Sequence, residues 1–354
     1  MLFNLEFTNM LCKIVKIIPL VCFFSVGICS ADTGDFDMDR WDSVLADVRT
    51  KALAKNISEN TINATLRLPK FVPSIVKSDK NQAEFKLTLD SYLARVVNSD
   101  KIAKGKIAKT KYPTMLSRVD KMYGVPPHVI MAFWGMESNY GTVKSKHKLT
   151  DAFFTLMYDG RREKFFGDQL LALMKIADDN NLDINNIHGS WAGAMGHFQF
   201  IPTTLAMYGV DGNNDGKIDI IDSISDAMAS AGNYLNKLGW DKTQRIARRV
   251  ILPADFDKSL LDGKSKKTLS EWAALGVRNP DGGMIPTGEM VAGLVADVAN
   301  IQTVDSDEFS PDTDVAPAPV ITAYLTYPNF YRIKRWNNSN WYAIAISELS
   351  DKLR

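Results

Sequence analysis

The feature that most constrains the fold is a succession of helix-length segments in residues 111–245, separated by Gly-rich turns and Pro residues. Apolar residues recur in these segments at the spacing of helices that bury one face. We predict helices over Leu116–Tyr123, Pro126–Ser138, Asp151–Met157, Arg162–Asn180, Pro202–Tyr208 and Ile221–Leu238. The pattern therefore favours a core that is mainly α-helical.

The regions on either side of this core predict further parts. Residues 32–110 have helical apolar spacing, and we expect a helical domain there. Residues 246–318 mix short strand-like and helical pieces with Gly and Pro, which is typical of a small mixed or β insertion. A strand-like run, Val320–Ile333, and a helix from about Ser339 to Leu353 would let residues 319–354 complete the core. The expected fold class is mainly α, with an α+β insertion.

The amino-terminal segment has the marks of a secretory signal peptide over residues 1–31. Lys13 and Lys16 precede a short apolar stretch that ends in Cys29-Ser30-Ala31, and we predict cleavage after Ala31. The stretch is too short for a comfortable membrane span, so we expect export to the periplasm. Cys29 could instead carry a lipid, although the residue before it is not the usual Gly or Ala. All three cysteines lie in this segment, so the mature chain would depend on its core and not on disulfides.

The composition narrows the range of partners and cofactors. The formal net charge of +1 gives no reason to expect nucleic acid or an acidic lipid surface. The four histidines, His128, His147, His188 and His197, lack the spacing of metal ligands, which argues against a zinc site. The sequence contains no phosphate loop, dinucleotide fingerprint or nucleophile elbow.

Glu137 lies at the end of the predicted helix Pro126–Ser138, four residues after Phe133 and eight after Val129. This spacing puts the three side chains on one apolar helix face. A carboxyl group there is partly desolvated, which raises its pKa, and a protonated glutamic acid can donate a proton to a glycosidic oxygen. The spacing alone is also compatible with a solvated glutamate at a helix end.

A second motif, Gly189-Ser-Trp-Ala-Gly-Ala-Met-Gly-His-Phe-Gln199-Phe-Ile-Pro-Thr-Thr204, combines small residues with aromatic ones. Small residues let a backbone approach a ligand closely. Ser190 and Gln199 offer neutral hydrogen bonds suited to sugar hydroxyls and amides, and Trp191 and Phe198 offer apolar platforms. A tightly packed loop between helices explains the same composition equally well.

Together, the two motifs Gly135-Met-Glu-Ser-Asn-Tyr-Gly141 and Gly193-Ala-Met-Gly-His-Phe-Gln-Phe-Ile-Pro202 resemble the lytic murein transglycosylase B family, which has a lysozyme-like catalytic core. Further similar pieces are Gly160-Arg-Arg162, Ala231–Leu235 with Leu238-Gly-Trp240, and the tail from Tyr331 to Tyr342. The resemblance spans roughly residues 40–350.

The resemblance implies that Glu137 is the sole catalytic acid/base. It also implies that Arg161 and Arg162 lie near the peptide or sugar, and that the glycan cleft is lined by Ser190, Gln199, Tyr234, Asn337 and Tyr342. Trp336 stands where the family often has Tyr, and we place it in the cleft as well. An aromatic stack survives that change but a phenolic hydrogen bond does not, so the polar role of this position is in doubt.

The implied substrate is the peptidoglycan glycan strand, cut between N-acetylmuramic acid and N-acetylglucosamine. Ordinary glycosidases need two carboxylates, and no second one accompanies Glu137 in these motifs. A single carboxyl group fits a lytic transglycosylase, a lyase whose products carry 1,6-anhydromuramyl ends. A hydrolytic muramidase with a second carboxylate from elsewhere, or a non-catalytic peptidoglycan-binding scaffold, are the alternatives. We expect a monomer that could serve in cell-wall synthesis or secretion complexes.

Residues 211–222 follow the EF-hand calcium loop at every position but the last. Oxygen side chains stand at loop positions 1, 3, 5, 9 and 12, Gly216 stands at the sharp turn, and Lys217 would offer only its carbonyl. Asp222 replaces the usual Glu at the last position, which would weaken binding. An Asp/Asn/Gly-rich turn without metal is the alternative. We predict a structural Ca²⁺ site formed by Asp211, Asn213, Asp215, Lys217, Asp219 and Asp222.

Overall fold

The computed structural model describes residues 36–81, 87–143, 145–297 and 321–354. The predicted signal segment, with its cleavage site and Cys29, lies outside the described residues. Residues 38–354 form one compact unit. Among the helices of the described residues, none combines the length and the apolar character that a membrane span requires.

Most of the described chain is helical, which confirms the predicted fold class. In chain order, the α-helices of the described residues are α1 Met38–Ala54, α2 Glu59–Leu66, α3 Pro73–Lys80, α4 Leu89–Val96, α5 Ser99–Lys111, α6 Pro113–Tyr123, α7 Pro127–Ser138, α8 Leu149–Asp159, α9 Glu163–Asp179, α10 Pro202–Tyr208, α11 Ile224–Lys237, α12 Leu269–Ala274, α13 Pro328–Trp336 and α14 Asn340–Lys352.

Helices α1 to α3 form a layer against α8 and α9. Trp41 of α1 is buried, with its ring centroid 6.0 Å from that of Phe154 on α8. Arg40 donates from Nε to the Tyr158 carbonyl at 2.9 Å, and the N-cap residue Ser58 of α2 hydrogen-bonds Asp178 of α9. Apolar burial and polar caps together fix this layer on the core.

Helix α7 runs through the centre of the core. Residues 129–135 are all buried, so the helix is apolar on every side, as expected for a helix surrounded by protein. It begins at Pro127, where a missing N–H costs nothing, and it ends where Asn139 takes the left-handed conformation with φ 49°. Helices α5, α6, α11 and α14 enclose it. This burial carries the last turn, with Glu137, into the interior.

The strands form two antiparallel sheets. The smaller pairs β1 His147–Lys148 with β2 His188–Gly189. The larger has the order β3-β6-β5-β4, in which the strands are β3 Ala247–Leu252, β4 Lys267–Thr268, β5 Val291–Ala296 and β6 Ile321–Thr326. It packs against α12 around Trp272, in a hydrophobic cluster separate from the main core. Since β6 comes from the tail, residues 321–354 contribute both to this sheet and to the helical core.

One predicted element is wrong in its second half. The strand-like run Val320–Ile333 is a strand only to Thr326, and helix α13 then starts at Pro328. The proline favours the first position of a helix, and Phe330 and Ile333 are both buried at the three-residue spacing of one helix face. The apolar and β-branched residues of this stretch favoured a strand, but tertiary packing selects the helix.

Candidate active site

Glu137 lies in the last turn of α7 and accepts two side-chain hydrogen bonds, both at Oε1. The Trp336 indole donates from Nε1 at 3.0 Å, and the Tyr342 hydroxyl donates in a short hydrogen bond. No hydrogen bond from the described residues reaches Oε2. The two donors therefore orient the carboxyl group and leave one oxygen to carry a proton.

The two donors come from neighbouring helices of the tail. Trp336 is the last residue of α13, and Tyr342 lies in the first turn of α14, with five residues between them. Ser339 caps α14 by accepting a hydrogen bond from the Tyr342 N–H at 3.3 Å. Phe133, one turn before Glu137, packs against both rings, at centroid distances of 4.8 Å from Trp336 and 6.2 Å from Tyr342. The apolar face predicted on this helix is thus the surface that seats both donors.

Burial dominates the electrostatics of the carboxyl group. Desolvation raises the pKa of Glu137 from 4.5 to about 7, against the opposing effects of the Tyr342 and Trp336 hydrogen bonds and the Lys101 charge. Lys101, on α5, donates from Nζ to the Gly135 carbonyl at 2.8 Å. No carboxylate of the described residues contributes to the shift. A substantial fraction of Glu137 is therefore protonated at neutral pH, as a general acid requires.

An aromatic wall adjoins the carboxyl group. Trp336 lies 4.9 Å from Tyr234 and 5.3 Å from Phe200, measured between ring centroids, and Tyr234 stacks on Tyr208 at 4.6 Å. Such a surface suits the apolar faces of sugar rings. The Trp336 indole N–H makes a polar contact with Glu137, although this residue has no phenol group.

Three other predicted cleft residues have no contact with Glu137 in the hydrogen bonds of the described residues. Ser190 accepts the Ala194 N–H at 3.0 Å, and Gln199 donates from Nε2 to the Gly196 carbonyl at 2.9 Å, so both side chains brace their own loop. Gln199 does so in the left-handed region, with φ 49°, an uncommon conformation for a residue with a side chain. Asn337 is exposed and directly follows Trp336.

The glycines of the loop serve packing within the protein. A side-chain carbon at Gly193 would collide with the Phe153 ring, and one at Gly196 would collide with the Ile220 carbonyl. Both have positive φ, 92° and 71°. The interpretation of these small residues as room for a ligand is thus replaced at these two positions by a tightly packed loop.

Arg161 and Arg162 both form ion pairs with the same carboxylate, Asp79 at the end of α3. The Asp79 side chain is only 2% exposed, whereas the arginines keep 48% and 43% of their side-chain surface. A buried carboxylate needs such compensation. The structure joins the arginine pair to the amino-terminal layer and does not join it to Glu137.

His197 links helix α7 to the loop that carries Gln199. Its Nδ1 accepts a hydrogen bond from the Trp134 indole at 3.1 Å, and its carbonyl accepts one from the Ser138 hydroxyl at 2.7 Å. The sequence around His197 lacks the spacing of metal ligands, which argues against a metal-binding role, and sequence spacing gives no signal for a hydrogen-bonded bridge of this kind. Lys101 was missed for the same reason, since it lies on a helix with little apolar periodicity.

The EF-hand-like loop is held by hydrogen bonds to its own backbone. Asp211 accepts the N–H groups of Asn214, Asp215 and Gly216, at 2.6 to 3.2 Å. The Asn213 amide donates to Asp215 Oδ2 at 2.8 Å. Gly216 makes the predicted turn with φ 86°. Carboxylate, amide and carbonyl oxygens are the donors that a hard cation prefers, so the residues present fit Ca²⁺ chemically.

A residue outside the predicted ligand set also stabilises the loop through hydrogen bonds. Asp226 is fully buried at the start of α11 and accepts the N–H groups of Gly212 at 2.9 Å, Asn213 at 3.3 Å and Asp219 at 2.9 Å. Asp222, the predicted last ligand, is exposed. Within the described ranges, no three His, Cys, Asp or Glu side chains converge as a metal cluster. An acidic residue just past the template could have been found by continuing the pattern four residues further.

Comparisons with known proteins agree with this geometry. Residues 40–351 match the family described as Transglycosylase SLT domain. The chain is 31% identical over 263 residues to membrane-bound lytic murein transglycosylase B of Escherichia coli (strain K12), an alignment that covers 73% of this chain and 65% of that relative. The chain thus spans less than two thirds of the length of this curated relative.

Solved structures give the same match. SltB3 from Pseudomonas aeruginosa, in complex with NAG-NAM-pentapeptide, is 34% identical with a TM-score of 0.79, covering 88% of this chain and 79% of that one. SltB3 also has a structure in complex with NAG-anhNAM-pentapeptide. Escherichia coli Slt35 in complex with calcium is 27% identical with a TM-score of 0.72, covering 90% of this chain and 94% of that one. The predicted lysozyme-like lytic transglycosylase fold is confirmed.

Proposed function

The chain belongs to the Transglycosylase SLT domain family, and on that premise we propose that it is a peptidoglycan lytic transglycosylase with Glu137 as its single acid/base. The observation that carries the proposal is the buried carboxyl group with a pKa of about 7, held at one oxygen by Trp336 and Tyr342. The substrate would be the bond between N-acetylmuramic acid and N-acetylglucosamine, by analogy with the NAG-NAM ligand of SltB3.

The first step breaks the glycosidic bond. Protonated Glu137 donates its proton to the bridging oxygen, so that N-acetylglucosamine leaves with a free hydroxyl group. The 2-acetamido group of the muramyl residue stabilises the positive charge at its anomeric carbon. The two donors at Oε1 then stabilise the carboxylate that remains in this buried site.

The second step closes a ring within the muramyl residue. The C6 hydroxyl attacks the anomeric carbon and gives its proton to the Glu137 carboxylate, which restores the acid. A group with a pKa near neutrality can both donate the proton in the first step and accept one in the second. Water is not consumed, and the product is a 1,6-anhydromuramyl end, the species that the NAG-anhNAM ligand of SltB3 represents.

The remaining predicted cleft residues have a natural place in this proposal. Tyr234 and Trp336 would stack on sugar rings, while Ser190, Gln199 and Asn337 would offer hydrogen bonds at the edge of the cleft. Arg161 and Arg162 would present the exposed faces of their guanidinium groups to an anionic part of the strand, with Asp79 holding them in place.

The loop of residues 211–222 would hold Ca²⁺ through Asp211, Asn213, Asp215, Asp219, Asp222 and the Lys217 carbonyl. The donor chemistry of the loop and the calcium complex of Slt35 support this. The ion would supply positive charge that fixes the loop. That loop supports the active-site side, because the Ile220 carbonyl accepts a hydrogen bond from His197 N–H at 3.1 Å.

We further propose that the protein acts in the periplasm as a monomer, with peptidoglycan strands as its partner, and that it serves in cell-wall synthesis or secretion complexes. The signal-like amino-terminal segment and the cell-envelope relatives support this.

Product analysis tests the proposal. Purified peptidoglycan is digested with the wild-type protein and with Glu137→Gln, and the soluble products are identified by mass spectrometry. We expect anhydromuramyl ends with the wild type and none with Glu137→Gln, whose activity falls by about 10³-fold or more. Reducing ends would indicate a hydrolytic muramidase, and binding without products from the wild type would indicate a scaffold.

A further inference from the structure

A pocket of about 460 Å³ lies beside the active site. It is lined by Tyr92, Lys334, Asn338, Ser339, Asn340 and Trp341. Two of these residues belong to the stretch that joins α13 to α14, two to the first turn of α14, one to the last turn of α13 and one to α4.

The pocket lies next to the residues that hold the catalytic carboxyl group. The residues on either side of its lining stretch are the two donors to Glu137, Trp336 before it and Tyr342 after it. The charge of Glu137 also helps to raise the pKa of Tyr92, a lining residue, after the larger effect of burial. A substrate group next to the scissile bond would therefore lie near this pocket.

The lining is polar, with one uncompensated positive charge. Lys334 is half-buried, and no carboxylate of the described residues forms an ion pair with it. Asn338 and Asn340 add amide groups, and the rings of Tyr92 and Trp341 form an apolar wall with centroids 5.7 Å apart. A lysine without an ion pair complements an anion better than a neutral sugar.

We propose that this pocket receives a carboxylate of the peptide stem carried by the muramyl residue, and that Lys334 determines the preference for peptide-bearing strands. The inference rests on the proposed function, since it takes the substrate to be peptidoglycan. Lys334 pairs with the carboxylate, the amides of Asn338 and Asn340 bind the backbone of the stem, and Trp341 packs on its apolar part.

Lys334 also has a purely structural explanation. It lies in the last turn of α13, where a positive charge favours the helix dipole. Lys352 provides the matched control, because it is a lysine in the last turn of α14, exposed, without an ion pair among the described residues and outside the pocket. A helix effect is common to both lysines, whereas recognition of a carboxylate belongs to Lys334.

Equilibrium binding tests the inference without relying on turnover. Calorimetry in a Glu137→Gln background compares three ligands: the NAG-NAM disaccharide without peptide, the same disaccharide with a pentapeptide, and the pentapeptide form with its carboxylates amidated. Adding Lys334→Met should weaken binding of the carboxylate-bearing ligand by about tenfold and change the other two less than about twofold. Lys334→Arg should keep most of the affinity, and Lys352→Met should change none of the three.

An equal loss for all three ligands, or no loss for any, would overturn the inference. Failure of the proposed function has a different signature, since the wild type would then release no anhydromuramyl products, while the ligand preference of the Lys334 variants is still measured by binding.

Discussion

Two acidic regions of this molecule use carboxyl groups in opposite ways. Glu137 is held in an apolar surround, and burial raises its pKa to about 7. Asp211, in the EF-hand-like loop, is affected by desolvation in the same direction, but hydrogen bonds from backbone N–H groups, led by that of Gly216, outweigh it and lower its pKa below 3.8. The first carboxyl group is prepared to hold and release a proton, and the second to stay charged.

Burial and the number of donors together explain the difference, since Glu137 is buried and Asp211 is not. Asp211 accepts three backbone hydrogen bonds shared over both oxygens, which stabilise the anion. Glu137 accepts two side-chain hydrogen bonds at one oxygen only, and these do not offset the loss of water. Acid chemistry thus depends on partial compensation, because full compensation would turn Glu137 into a permanent carboxylate.

The largest expected effect is a change in the stability of Glu137→Gln with pH. A Gln carbonyl oxygen can accept both hydrogen bonds but carries no charge to bury. Because the folded pKa is raised, the wild type loses stability relative to the variant as pH rises from about 4.5 to about 7. Above pH 8 the variant should be more stable by about 3 kcal/mol, and below pH 4 the two should agree. Urea denaturation at a series of pH values measures this difference, and a constant difference would contradict the raised pKa.

Removing one donor should sharpen the contrast further. Tyr342→Phe deletes a hydrogen bond that lowers the pKa of Glu137, so the basic limb of the activity profile should move to higher pH. Turnover should fall by about 10 to 100-fold, because the carboxylate formed after proton donation loses a donor.

Trp336→Tyr offers a phenol in place of the indole and should retain more activity than Trp336→Phe. Equal activity of the two Trp336 variants would show that the indole N–H has no role.

In the loop, Asp211→Ala tests whether the permanent carboxylate binds a cation. For a site with a Kd of about 10⁻⁴–10⁻³ M, 10 mM calcium should stabilise the wild type by roughly 1–3 kcal/mol and the variant very little. Asp257→Ala removes another exposed carboxylate, one that caps a short 3-10 turn, and should lose the same stability with and without calcium. Wild-type melting curves that do not respond to calcium would reject the site.

The smallest expected effect concerns Lys101. Its charge lowers the pKa of Glu137 as the weakest of the contributions, so Lys101→Met should move the basic limb of the activity profile upward by less than Tyr342→Phe does. Lys101→Arg keeps the charge and should restore the wild-type limb. A downward movement in Lys101→Met would mean that the hydrogen bond to the Gly135 carbonyl, and not the charge, governs the effect.

The sequence predicted the parts of the fold that depend on local pattern. Helix α10 was predicted with its observed bounds, Pro202–Tyr208, and α7 within one residue, because prolines mark where both begin. Helix α13 was missed, since Val320–Ile333 reads as a strand until tertiary contacts bury Phe330 and Ile333 on one helix face.

In the candidate site, too, features set by local sequence could be predicted, whereas features set by tertiary contacts could not. Glu137 could be found from its position on an apolar helix face and from the second motif. Its donors, Trp336 and Tyr342, lie about 200 residues away in sequence, and only the resemblance to a known family indicated them. Asp79 beneath the arginine pair gave no such signal, because the need for it arises only when distant segments pack.

The most direct test of the single-carboxyl account is digestion of peptidoglycan in water labelled with heavy oxygen. If Glu137 alone moves the proton and the C6 hydroxyl attacks, no oxygen from water enters the product, and the muramyl ends should be unlabelled and lighter than reducing ends by one water. Labelled reducing ends would contradict the account, because they would show that water attacks the anomeric carbon with the help of a second catalytic group.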